Sequence, residues 1–125
     1  MSKKILLAAI AAVSTVLAAP AWAHGAGEPK HGGIVQSASD LGFELAPTAE
    51  GVSLYIDDHG KPLSTQGAGG KLTVLSGADK SEADLTPAGD NRLDAKGVKL
   101  APGAKAVAVV TLPSKKVVTV RFTAK

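Results

Sequence analysis

Cysteine is absent from this 125-residue chain, which excludes a disulfide, a thiolate nucleophile and a lipid-bearing cysteine. Aromatic residues are nearly absent as well, with two Phe, one Tyr and one Trp. A core must therefore be built from Val, Leu, Ile and Ala. Neither a Gly-x-Ser-x-Gly elbow nor a His-Glu-x-x-His pair occurs, and Gly67-Ala68-Gly69-Gly70-Lys71 lacks the spacing of a phosphate loop. The parts of a catalytic site cannot be named, and a non-enzymatic protein is expected. No clustered basic stripe with interleaved aromatics is present, so nucleic acid is not an expected partner.

Long hydrophobic runs are also scarce: the one uncharged apolar run lies at the amino terminus, from Ile5 to Ala19. It follows Lys3 and Lys4, is ended by Pro20, and leads to Ala21-Trp22-Ala23. That is the layout of a secretory signal peptide cut after Ala23. The run is short of the roughly 20 residues that span a bilayer, so no stable membrane association is expected after cleavage. Residues 1–23 are thus read as a signal peptide, 24–33 as a flexible, glycine-rich leader and 34–125 as one domain, with a periplasmic destination. Loss of Lys3 and Lys4 brings the 14 basic side chains almost to parity with the 11 acidic ones.

What remains is rich in short alternating runs. Leu41, Phe43 and Leu45 alternate with Gly42, Glu44 and Ala46; Val118, Val120 and Phe122 alternate with Thr119 and Arg121. Period two with one polar side marks a half-buried strand. Turn residues separate the runs, as in Asp57-Asp58-His59-Gly60 and Pro87-Ala88-Gly89-Asp90-Asn91. The spacing predicts strands over 34–38, 41–46, 52–56, 71–76, 82–86, 92–94, 106–112 and 117–123. Seven or eight short strands at this spacing predict an all-β fold, a single small antiparallel β-sandwich of Ig-like type.

The chain has three histidines, and all follow the expected cleavage site: His24, His31 and His59. Cutting after Ala23 would make His24 the first residue, where its free amine and imidazole can chelate one metal. Together with His31, His59, Asp57 and Asp58 this donor set suits Cu(II), Ni(II) or Zn(II), and no organic cofactor is expected. Each residue also has a plainer reading. His24 and His31 can be polar residues of a leader, and Asp57 to Gly60 can be no more than a turn whose Asp side chains cap it.

The runs Lys30-His31-Gly32-Gly33-Ile34-Val35, Leu41-Gly42-Phe43-Glu44-Leu45 and Val52-Ser53-Leu54-Tyr55-Ile56-Asp57-Asp58-His59-Gly60-Lys61-Pro62 resemble a recurring module. It is similar to small periplasmic β-domains that occur alone and near the amino terminus of periplasmic adaptor proteins of heavy-metal (RND-type) efflux pumps. The resemblance runs from about Lys30 to the end of the chain. It implies a β-sandwich associated with heavy-metal or copper handling, with an efflux adaptor as a partner. The expected function is a periplasmic metal carrier, buffer or accessory to efflux. The rival is a structural module that docks on an adaptor or another envelope protein without metal.

Overall fold

A computed structural model describes residues 27–125. The expected signal peptide and His24 lie outside the described residues. Within them the chain is all-β and antiparallel, with no helix. Nine strands follow in order: β1 (Ile34–Ala38), β2 (Leu41–Pro47), β3 (Gly51–Asp58), β4 (Lys61–Pro62), β5 (Gly69–Ser76), β6 (Asp79–Pro87), β7 (Arg92–Lys96), β8 (Lys105–Thr111) and β9 (Val117–Thr123). Eight of them match the predicted runs. The ninth, β4, is a two-residue pairing with the end of β3 and is too short to carry any periodicity.

Local turn chemistry sets the hairpins. Ser39 and Asp40 both take positive φ between β1 and β2, as a two-residue type I′ turn requires. His59 and Gly60 do the same between β3 and β4. Between β8 and β9 the Leu112–Lys115 turn closes with Lys115 at φ 79, and the Leu112 amide donates to the Lys116 carbonyl.

Non-local pairing then arranges the strands as β1-β2-β3-β7-β6-β5-β8-β9. The run β5-β6-β7 folds back on itself, and β8 returns to the free side of β5, which is Greek-key connectivity. Strand β6 turns the corner: Asp79 to Leu85 pair with β5, whereas Thr86 and Pro87 pair with β7. The sheet curls until β1 and β9 lie side by side without a hydrogen-bonded ladder, giving a nearly closed barrel.

Alternation drives the curl, because most of the long strands have one apolar face and closing the sheet hides it from water, while the longer β6 buries only Leu85. Phe43 and Leu45 of β2, Leu54 and Ile56 of β3, Leu72 of β5 and Val110 of β8 are fully buried inside. Small Ala106 and Ala108 of β8 are buried with them. Two polar residues of the outer face are buried too. Ser53 donates to Asp94 across the β3–β7 pair at 2.7 Å. The other is Glu44.

Candidate functional site

Glu44 sits on β2 at an outward position, where alternation predicts exposure, yet it is only 6% exposed. What covers it is the segment before β1. The backbone N–H of Lys30 donates to Glu44 Oε1 at 2.9 Å, and those of His31 and Gly33 donate to Oε2 at 2.8 Å each. Both carboxylate oxygens are thereby used by charge-assisted hydrogen bonds. Burial alone would raise the Glu44 pKa, but the three N–H donors and the nearby His31 ring outweigh it. The carboxyl is held below its ordinary 4.5.

The rest of this strap is fitted to the same surface. Gly32 takes φ +73, and a Cβ on Gly33 would run into the Leu45 carbonyl, so the paired glycines let the chain lie close against β2. The His31 ring stacks on Tyr55, with centroids 3.6 Å apart and planes 7° from parallel. Tyr55 is the cross-strand neighbour of Glu44, so one β2–β3 pair holds both backbone and ring of the strap. Lys30 Nζ lies 3.3 Å from Asp57 Oδ2. Asn91 donates to the other oxygen of Asp57 at 3.2 Å and to the Ile56 carbonyl at 3.1 Å.

The strap leads into a cleft of about 760 Å³. Gly27, Glu28 and Lys30 line it from the leader, Asp57 from the end of β3 and His59 and Gly60 from the β3–β4 turn, with the β1–β2 hairpin beneath. His59 is exposed, and its Nδ1 lies 2.6 Å from Asp58 Oδ1. That contact takes up one ring nitrogen, and among the described residues Nε2 makes no hydrogen bond, the division that carboxylate–histidine pairs make when the other nitrogen binds a metal.

The predicted ligands are therefore distributed. Asp57 and His59 share the cleft, and Asp58 contacts the His59 ring. His31 does not line the cleft, its ring being stacked on Tyr55. Among the described residues no three His, Cys, Asp or Glu side chains are grouped so as to hold a metal ion. Glu44, Tyr55 and Asn91 are the residues that sequence reasoning passed over. The one signal for Glu44 was an acid inside the apolar run Leu41 to Leu45. Comparison with protein families, with characterised proteins and with solved structures gives no match.

Proposed function

We propose that this chain is an exported, non-enzymatic β-domain that binds a divalent metal, Cu(II), Ni(II) or Zn(II), and acts as a periplasmic carrier, buffer or accessory to metal efflux. The single observation that carries the reading is the meeting of the leader with the His59 turn in one cleft, with Asp58 on Nδ1 of the ring. Gly27 lines that cleft, and the three residues back to His24 reach about 10 Å when extended. With cleavage after Ala23, the His24 amine and imidazole would join His59 Nε2, with Asp57 as an oxygen donor once its Oδ2 gives up the exposed Lys30 pair. Asp58 then orients His59, and His31 serves the docking of the leader. Mature protein has no Cys or Met, which favours these metals over Cu(I). The resemblance to efflux-adaptor modules supports the same class of function and an adaptor as partner. We also read the curled sheet as a flattened, Ig-like sandwich, because β6 divides its pairing between two groups of strands.

A second reading, docking without metal, draws on another surface. Val109 and Val117 are 40% and 58% exposed and lie diagonally across the β8–β9 pair, with Leu75 at 40% on neighbouring β5. Such exposed apolar side chains suit contact with another envelope protein.

Titration of the exported protein with Cu(II), Ni(II) and Zn(II) tests the choice, once mass spectrometry has identified its first residue. A single saturable site, lost in His24→Ala or on blocking the amine and weakened in His59→Ala, is expected. Binding no tighter than that of a peptide of residues 24–33 would overturn the metal reading and leave docking.

A further inference from the structure

We infer that the outer face of β6, β5, β8 and β9 is self-complementary and takes a second copy of this chain across a two-fold axis parallel to the strands. The inference goes beyond the metal reading and does not depend on it. Antiparallel register places Glu82 of β6, Thr73 of β5, Val107 of β8 and Arg121 of β9 in one row across four strands. The row lies on the outward side, because Leu72, Ala106 and Phe122, next in sequence to Thr73, Val107 and Arg121, are buried. An acid thus stands at one end, a cation at the other, and two uncharged residues lie between. Glu82 and Arg121 are exposed, and neither charge is well used within its own chain. Glu82 has only Lys80 Nζ at 3.8 Å and the Thr73 hydroxyl at 3.4 Å. Arg121 makes no salt bridge among the described residues, and neither β8 nor β9 contains Asp or Glu.

A two-fold axis running between β5 and β8, parallel to them, turns that row onto itself. Strand β6 of one copy then faces β9 of the other, and β5 faces β8. Glu82 meets Arg121 of the second copy, and Thr73 meets Val107, each pairing occurring twice. The neighbouring rows agree: Asp84 would face Thr119, and Lys71 would face Val109. Lys80 would face Thr123, and Leu75 would face Lys105, whose aliphatic stem can cover it. No two like charges meet. An axis perpendicular to the strands and centred on the same row would instead set Glu82 on Glu82 and Arg121 on Arg121, so charge selects the parallel axis. The contact also covers Leu75 and Val109, each 40% exposed. Twisted sheets pack face to face with their strands nearly aligned, as this axis requires. Four strands about 4.8 Å apart and about 20 Å long offer roughly 400 Å² per copy. Twice that area is below the roughly 1,200 Å² of stable interfaces, so a weak, reversible dimer is expected.

Sedimentation equilibrium of the exported protein, taken up to about 1 mM, tests this. A monomer–dimer equilibrium that added salt weakens is expected. Glu82→Lys and Arg121→Glu both change exposed side chains and should keep the fold. Each sets like charges across the axis twice and should weaken association about tenfold or more. Mixing the two variants should restore it, because the two introduced charges then meet each other and the two native ones do the same. The double variant, with both charges exchanged, should pair as the wild type does. If a reversal fails to fold, Glu82→Gln or Arg121→Gln replaces it, and weaker association remains the expected result.

A chain that stays monomeric to that concentration would overturn the inference and leave this face to another envelope protein. Association that both reversals leave unchanged would also overturn it, since the copies would then pair elsewhere. Loss in each variant without recovery on mixing would overturn the two-fold arrangement.

Discussion

His31 lies flat on Tyr55, with ring centroids 3.6 Å apart and planes 7° from parallel. A histidine singled out as a metal ligand thus has a structural partner, and its backbone N–H is held by Glu44. The pair forms the outermost layer of the strap dock. Replacing either ring should cost about 0.5–1.5 kcal/mol, toward the lower end because the stack faces water. His31→Ala and Tyr55→Leu combined should cost less than their sum, as expected for residues in contact. Urea unfolding of the two single variants and the double variant checks this.

Acid should loosen the strap through Glu44. Its pKa is lower in the folded protein than the ordinary 4.5, so the unfolded chain takes up this proton first as pH falls. Stability from Glu44 is therefore complete above the unfolded value and is lost as pH drops through the folded one. Glu44→Gln should cost about 1–3 kcal/mol near neutral pH, and the gap to wild type should shrink below the ordinary carboxylate range. Urea midpoints measured from neutral pH down into acid would show it. A gap that stays constant with pH would speak against a clasp by the ionised carboxylate.

Close backbone approach makes Gly51 hard to replace. A Cβ there would run into the Ala95 carbonyl on β7. Gly51→Ala should cost about 1–3 kcal/mol, since β3 or β7 must shift to admit it. A lower denaturation midpoint with an unchanged m value is the expected result.

Leu54 is fully buried on β3, inside the curl of the sheet. Leu54→Ala should cost about 2–5 kcal/mol, a large share of the roughly 5–15 kcal/mol a domain has in all. Val117→Ser on β9 should stay within about 0.5 kcal/mol, because Val117 is 58% exposed. Thermal unfolding of the two variants distinguishes core from surface. Should Val117→Ser leave stability intact while weakening binding to an efflux adaptor, the docking reading gains.

Much of the strand layout was legible because it is local. Alternation in Leu41 to Ala46 or Val118 to Phe122 is a property of neighbouring residues, and the turn signals between runs are local too. The pairing of β3 with β7 and of β5 with β8 was not legible. It joins residues far apart in sequence, and several antiparallel orders would bury the same apolar faces. The Lys61–Pro62 pairing was invisible for the opposite reason, being too short for a pattern.

For the candidate site, the sequence by itself determined the inventory: three histidines, the carboxylates of Asp57 and Asp58, and paired glycines ahead of the first strand. Only the tertiary structure decided their partners. Alternation assigned Glu44 to water, and it was right about the face of the sheet. Burial of that side chain came from a segment that crosses back over β2, which no periodicity within Leu41 to Ala46 can encode. Its charge is tolerated there because three N–H donors replace the lost water. A contact of this kind depends on which surfaces meet after the sheet has formed, so it belongs to the fold and not to any one stretch of the chain.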